Sequence, residues 1–452
     1  MKLLFCCAEY WPSVGGVQEV IRQIAEQMVK AGHDVTVATG AHPARAAKFH
    51  NGVRIREFRV EGNLAVGMHG EVDNYRSFVK SFEGDALLIK AAQQWSFDAL
   101  WPVLDSLALR KIFIPCGFSG LYEPIYSGYF AKMPEVLRKF DHLIFYAEKY
   151  RDIDFAKAHG IFNYSIIPNG ASELEFSRAA DGKLRARLGI PGDEFLFLTV
   201  GSPIEGKGHV EVGQAFAQID AGSRNVTLIL NGRSSVPKPK PLSAIVGFLL
   251  RPRVWRKGFE LLFREGWQGI WKRLFPKRPS SSEGQIHLDL GDRKAAEHAG
   301  TKRVLHLDLP RDEVVSAFLE ADLFVFASKV EYSPLVLFEA AAAGTPFLTV
   351  PVGNSREIVS WTGGGWICPA DVDERGYTRV SPAVLAQEME KAVRSPEYLR
   401  KLGDAGRRAW QDRFTWARIA RSYEQVLRGE AVMSPMISEA GDAAAEDEKI
   451  RS

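Results

Sequence analysis

The opening stretch of the chain restricts its fold more than any other. Residues 2–8 (Lys-Leu-Leu-Phe-Cys-Cys-Ala) are an apolar run of strand length, without the polar alternation of a half-exposed strand. A loop with Pro12, Ser13, Gly15 and Gly16 follows. Apolar residues then recur at helical spacing (Val17, Val20, Ile21, Ile24, Met28), and Gly32 ends the helix before a second strand at residues 34–38. A strand that is apolar on both faces needs cover on both. This β-α-β unit therefore predicts a parallel sheet with helices on each side, the doubly wound α/β class.

The same style continues through residues 112–115, 143–146 and 164–167, as far as Pro168-Asn169-Gly170. It restarts after a polar stretch, 173–192, that carries a short helix at 184–188. Strand 195–200, loop 201–208, a helix from His209 and strand 226–230 come next. Strand 304–307, helix 312–319, strand 323–327, helix 334–343 and strand 346–350 complete the pattern. A length of 452 residues has room for two such units, each with its own core. The expected organisation is an N-terminal acceptor-side domain, 1–172, a linker, 173–192, and a second domain, 193–410, with an insert at about 233–302. A terminal helix at 411–428 and a disordered tail at 434–452 follow. The carboxyl ends of both sheets would face one cleft, where ligands of such folds bind.

Composition excludes several classes. Apolar residues at 46% and charged residues at 25% describe an ordinary globular protein. The four cysteines contain no C-x-x-C spacing and read as reduced core thiols of a cytoplasmic protein. Glu9 interrupts the apolar start before it reaches signal-peptide length, so no secretion is expected. No stretch reaches the roughly 18 apolar residues of a spanning helix.

The stretch Glu331-Tyr-Ser-Pro-Leu-Val-Leu-Phe-Glu339 follows an apolar strand. Ser333 is a suitable N-cap and Pro334 a suitable first helical residue. A helix is expected to start there, leaving the amides of Leu335 and Val336 unpaired at its positive end, where a phosphate can sit. Glu331 and Glu339 flank that position. A carboxylate near a phosphate is repelled unless it has another task, such as accepting hydrogen bonds from sugar hydroxyls. The same residues also fit a capped core helix with two surface acids. A second strand-loop-helix, Val200-Gly201-Ser202-Pro203-Ile204-Glu205-Gly206-Lys207-Gly208, offers Lys207 as a diphosphate clamp or as a solvated lysine. Its spacing matches neither the P-loop nor G-x-G-x-x-G. Gly15-Gly16 either brings amides against a phosphate or is a plain turn.

Taken in order, several motifs resemble those of the family 4 glycosyltransferases. They are Pro12-x-x-Gly15-Gly16, Gly32-His33-x-Val35, Ile167-Pro168-Asn169-Gly170, Val200-Gly201 followed by Lys207-Gly208, Glu331 and Glu339 with seven residues between, and residues 341–346. The resemblance runs from Met1 to about Arg428, interrupted at roughly 233–302. It implies a GT-B fold, two Rossmann-like domains facing a cleft, and retaining transfer of a sugar from a nucleoside diphosphate sugar to an acceptor hydroxyl. It further implies that Glu339 contacts the nucleotide ribose and Glu331 the transferred sugar. Lys207 and the amides of Leu335 and Val336 would hold the diphosphate, with Gly16 closing from the first domain. Glu331 and Lys207 are the catalytic candidates. Gly201, Ser202, Ser333 and Pro334 complete the donor side, and Trp11, Gly15, Cys116 and Gly117 form the acceptor side. Two departures stand out. Ser202 occupies a place where the family often has a basic residue, and Cys116 one where many members have a histidine.

Phe414-Thr415-Trp416 opens a helix expected to return to the first domain. His33 is expected to be structural. The doublets Asp152-x-Asp154 and Asp371-x-Asp373 are read as chance, and with no zinc-type spacing no metal is expected. The nucleotide sugar is a substrate, so no cofactor is expected either. A sugar-nucleotide 2-epimerase of the same fold and a non-catalytic nucleotide-sugar-binding scaffold are the alternatives.

The insert adds a partner. Net charge is +3, but residues 236–279 hold eleven Lys or Arg against two acids, a net of +9 that leaves −6 for the rest. Across 254–275, Trp255, Phe259, Leu262, Phe263, Trp267, Ile270, Trp271 and Leu274 share one helical face, while Arg256, Lys257, Lys272 and Arg273 lie on the remainder. This pattern suits the boundary of an anionic bilayer, with Trp255, Arg256, Lys257, Phe259, Trp267, Trp271, Lys272 and Arg273 in contact. It also fits a helix packed on its own domain. Nucleic acid is not expected, because the tryptophans form a stripe. The expectation is a peripheral enzyme on the inner face of the cytoplasmic membrane, acting on a glycan or lipid-linked glycan in polysaccharide or glycolipid synthesis.

Overall fold

The computed structural model describes residues 1–202, 204, 206–232 and 301–432. The amphipathic segment 254–275, with all its expected membrane contacts, and the tail 434–452 lie outside the described residues.

The first sheet contains β1 (Lys2–Cys6), β2 (Asp34–Gly40), β3 (Phe49–His50), β4 (Val53–Phe58), β7 (Ala86–Lys90), β8 (Arg110–Ile114), β9 (His142–Phe145) and β10 (Tyr164–Ile166). A hairpin of β5 (Val60–Asn63) and β6 (Gly67–Gly70) stands apart from it. Strand order is β10-β9-β8-β7-β1-β2-β4-β3, and every pairing is parallel except β3 with β4. The apolar β1 lies at the centre, with Leu3 in register with Val35 of β2 on one side and Ala86 of β7 on the other. Helix α1 (Gly16–Lys30) buries Val20, Ile21, Ile24 and Met28 against one face of this sheet, the stripe expected from their spacing.

The second sheet is built from β11 (Phe195–Val200), β12 (Val226–Asn231), β13 (Lys302–Leu307), β14 (Leu323–Phe326), β15 (Phe347–Thr349) and β16 (Gly365–Ile367). Its order is β13-β12-β11-β14-β15-β16, parallel throughout. Strand order reverses at β7/β1 in one sheet and at β11/β14 in the other, and the crevices beyond those carboxyl ends are the natural ligand positions. The helices that matter for the site are α2 (Arg151–Ala158), α3 (His209–Gln218), α4 (Arg311–Glu320), α5 (Leu335–Ala343), α6 (Ser355–Thr362) and α7 (Trp416–Arg428). The polar stretch after residue 172 is more than a tether: Phe176, Leu184 and Ile190 are buried in the second core.

The last helix returns to the first sheet. Thr415 caps α7, accepting the Arg418 N–H, and Trp416, Ile419, Tyr423 and Val426 join the core formed by α1 and β1. The Pro168-Asn169-Gly170 turn lets this crossing happen, because a Cβ on Gly170 would come within 2.4 Å of the Phe414 carbonyl oxygen. His33 is structural in geometry, buried between the N-terminal amine at 3.1 Å and Glu424 at 3.0 Å. No described helix is long and apolar enough to cross a membrane.

Candidate active site

At the β11/β14 reversal the loops leaving both strands are tied together. Gly208 caps α3 at φ +79°, and a Cβ there would come 2.3 Å from the Ala327 carbonyl oxygen, so glycine alone lets the β11 loop lie against the end of β14. The Lys329 N–H donates to the Gly206 carbonyl at 2.7 Å. This brings Lys207 Nζ within 2.6 Å of Glu331 Oε1, with Ser328 Oγ 3.0 Å from the same oxygen. The side chains stay 31% and 18% exposed, open at the cleft mouth. Gly201, whose N–H donates to the Asn231 carbonyl at 3.0 Å, lies at the end of β11, and Ser202 beyond it is exposed.

The helix expected to begin at Pro334 begins one residue later. Pro334 is extended (ψ 116°) and is itself the cap, while Ser333 Oγ is buried without a hydrogen-bond partner and does not cap. The reason is tertiary: the Ser333 carbonyl is held by Asn169 Nδ2 at 3.1 Å, which fixes the chain ahead of the helix. Leu335 and Val336 remain the first residues of α5, where helical geometry leaves amides unpaired. Gly16 opens α1 on the other side, and the nearest atom to a Cβ built on it would be Leu335 Cδ1 at 3.8 Å. The N-termini of α1 and α5, both positive helix ends, therefore meet beside the Lys207–Glu331 pair. Gly15 caps α1 in extended backbone, and Val14 just before it is exposed.

Glu339 lies further along α5, largely buried, with Oε1 2.6 Å from Arg311 Nη2. Arg311 also forks onto Glu175 at 2.9 and 2.7 Å. Burial opposes the guanidinium charge, but Glu339 and Glu175 outweigh it and keep Arg311 firmly protonated.

The first-domain wall is less regular. Cys116, Gly117 and Phe118 are consecutive left-handed residues at φ +61°, +85° and +47°, a strained loop beyond β8. The Gly117 N–H donates to Asp152 Oδ2 at 2.7 Å. A Cβ on Gly117 would meet the ring of Tyr150 at 2.9 Å and that of Tyr332 at 3.0 Å. Asp152 is thus no chance surface acid: it is fully buried at the start of α2, just beyond β9 at the carboxyl edge of the first sheet. Burial pushes its carboxyl up to about 6, against the pull of the Gly117 N–H and the Tyr332 hydroxyl. Burial also pushes the Cys116 thiol up. Lys90, the last residue of β7, is buried, donates to Tyr146 Oη and lies 4.7 Å from that ring, with its pKa lowered by burial. Trp11 stacks on His50 at 4.1 Å, and its carbonyl accepts from Arg45 Nε at 2.5 Å. Trp11, Cys116, Tyr332 and Leu335 all pack on one apolar cluster.

The structure therefore gathers Gly16, Lys207, Glu331, Ser333, Pro334, Leu335 and Val336 at one mouth, with Cys116 and Gly117 against Tyr332 beside it. The reading of the sequence set Asp152 aside as chance and missed Lys90, Tyr146, Tyr150 and Tyr332. A lysine ending an otherwise apolar strand was a visible signal for Lys90; nothing local marks the others. A cavity of about 720 Å³ also opens at the carboxyl edge of the first sheet, beneath the β5–β6 hairpin, lined by Glu9, Arg59, His69, Gln93, Gln94 and Trp95 among others.

Known proteins agree with this architecture. The Glycosyl transferases group 1 family matches residues 292–409, and the starch synthase catalytic domain family matches residues 2–93. An MMP alpha-(1->4)-mannosyltransferase of Mycolicibacterium hassiacum is 30% identical over 131 residues. That alignment spans 28% of this chain and 29% of the relative, less than a third of either. A sucrose-phosphate synthase of Thermosynechococcus elongatus superposes with a TM-score of 0.65 at 19% identity, over 95% of this chain and 98% of that one. The Anabaena protein Alr3699/HepE, solved with UDP and glucose, superposes at 0.63 and 16% identity, over 95% of this chain and 100% of its own. Fold, motif order and both family matches concur: the chain has the GT-B fold, and its residues 292–409 match the group 1 glycosyltransferases.

Proposed function

We propose that the protein moves a glycosyl group from a nucleoside diphosphate sugar to an acceptor hydroxyl, with retention of anomeric configuration. The observation that carries this reading is the meeting of two helix N-termini, at Gly16 and Leu335, beside the Lys207–Glu331 ion pair. As the sugar–phosphate bond stretches, negative charge builds on the leaving diphosphate. Fixed amides and an ammonium aimed at it lower the barrier. Lys207 turns from Glu331 to the diphosphate, and Glu331 is then free to accept from the hydroxyls of the transferred sugar. Glu339, oriented by Arg311, accepts from the ribose. The leaving phosphate takes the acceptor proton, so no separate base is required. The UDP and glucose bound by the Anabaena protein support a nucleotide sugar as donor.

The acceptor enters from the first domain, where the cavity under the β5–β6 hairpin offers the mixed polar and aromatic lining a polyhydroxylated ligand needs. The charge and tryptophan pattern of 236–279 favours an acceptor presented at an anionic membrane. A thermal-shift screen of nucleoside diphosphate sugars tests the donor, since the true one stabilises the fold by mass action. Turnover with each stabilising donor, followed by proton NMR of the product anomer, tests transfer and retention. Donor converted in the absence of acceptor would point to an epimerase instead. Flotation with anionic vesicles at low salt tests the membrane, and protein left in the soluble fraction would remove it.

A further inference from the structure

The main chain of Glu331, the second domain's sugar-side residue, is held by the first domain. Tyr150 Oη donates to the Glu331 carbonyl at 2.5 Å. The next residue, Tyr332, reaches across the cleft, its hydroxyl accepting the Tyr146 N–H at 3.0 Å. Its ring packs against Tyr150 at 4.6 Å and Tyr146 at 5.4 Å. The contact is closely fitted, because Gly117 is the residue whose missing Cβ makes room for both rings. Two more contacts fix the same first-domain segment from behind. Asn354 Nδ2 donates to the Tyr146 carbonyl at 2.9 Å, and the Glu357 carboxylate accepts the N–H groups of Glu148 and Lys149 at 3.0 and 3.1 Å. The nucleotide end is built differently. Glu339 is held by Arg311 and, through it, by Glu175, and Glu19 on the first domain's α1 is near enough to the same guanidinium to interact with its charge.

We propose that Tyr150 and Tyr332 are positioning residues that hold the Glu331–Tyr332 peptide, at the sugar end of the donor site, from the first domain. This rests on the reading of Glu331 as the contact to the transferred sugar. When the domains part, the Tyr150 and Tyr146 bonds break and the Glu331–Tyr332 peptide loses its fixed position. The diphosphate contacts of Lys207 and the α5 amides do not need those bonds; the alignment of the sugar by Glu331 does. Holding a reacting group in place by main-chain anchors is a recognised source of rate, and a small displacement can cost about 10²-fold.

The test uses Tyr150→Phe and Tyr332→Phe in the full chain, because phenylalanine keeps the ring packing and deletes the hydroxyl. Hydrogen exchange is read first and needs no substrate. Residues 329–334 are expected to exchange at least several-fold faster in either variant, with the body of α5 unchanged. With a donor found by the screen, kcat is expected to fall about tenfold or more while the Kd for the free nucleoside diphosphate stays at the parent value. Unchanged exchange at 329–334 would overturn the proposal, whatever the activity. So would a loss of nucleotide affinity equal to the loss of kcat, which would mark a general structural defect. A parent protein that turns over no nucleotide sugar would instead remove the reading of Glu331, a result the exchange measurement does not depend on.

Discussion

Replacing Lys207 by methionine separates its part in folding from its part in the reaction. The ion pair with Glu331 is short, 2.6 Å, but both side chains retain solvent contact at 31% and 18%. A pair exposed to that degree contributes about 1 kcal/mol or less to stability, because water competes for both partners. For a domain of this size that is a change of roughly 2–4 °C in Tm. The effect on turnover is of another order. A fixed donor aimed at charge that develops in the transition state contributes about 2.7–4 kcal/mol, or about 10²- to 10³-fold in kcat. Glu331→Gln should act similarly, because it removes the charge that holds Lys207 at the mouth and turns one of the two oxygens that accept from sugar hydroxyls into a donor. Each residue places the other, so the losses should not multiply. Two losses of about 10² each are expected to leave the double variant well short of about 10⁴, the signature of interacting sites. The assay is kcat and KM for the donor in all four proteins, with Tm measured alongside. Parent-level turnover in Lys207→Met would refute the reasoning, as would a collapse in Tm large enough to account for the lost activity.

Glu339→Gln, and Arg311→Met through it, should weaken nucleoside diphosphate binding about tenfold, an effect of about 1.4 kcal/mol, with kcat at saturating donor little changed; titration calorimetry reads this. Gly208→Ala should lower Tm by several degrees, since a left-handed alanine costs about 1–2 kcal/mol before the contact with the Ala327 carbonyl is counted. Gly222→Ala, at φ +59° with nothing near its Cβ, bears the backbone cost alone, so equal losses in the two variants would contradict the close-approach argument. The Glu357 carboxyl is pushed up to about 7 by burial, with the charge of Glu148 adding to it and the two backbone N–H bonds opposing it. The folded state therefore keeps a proton that the unfolded state releases near 4.5, and this group's contribution to stability falls as pH rises from about 4.5 through 7. Glu357→Gln should raise Tm relative to the parent at pH 8 and bring the two together near pH 5; a constant difference across that range would show that Glu357 does not titrate there.

Much of this protein is legible along the chain. The unbroken apolar runs of β1, β11 and β14 permit only a covered parallel sheet, and the helical stripe of α1 dictates which face it buries. Those are local properties of spacing and polarity. The glycines at 16 and 208 and the carboxylates at 331 and 339 stand in an order that marks the cleft, Gly16 on its first-domain side and the others on its second. What spacing could not reveal is everything made by residues far apart in sequence meeting in space. Asp152 read as one acid among many until folding buried it behind Gly117, and Ser333 read as a cap until Asn169 took hold of its carbonyl. Tyr332 was one side chain in a motif whose acids drew attention; its role comes from a first-domain segment more than 180 residues earlier. A covalent chain specifies its strands and helices through nearest neighbours, whereas a cleft between two domains is specified by contacts that exist only once both have folded.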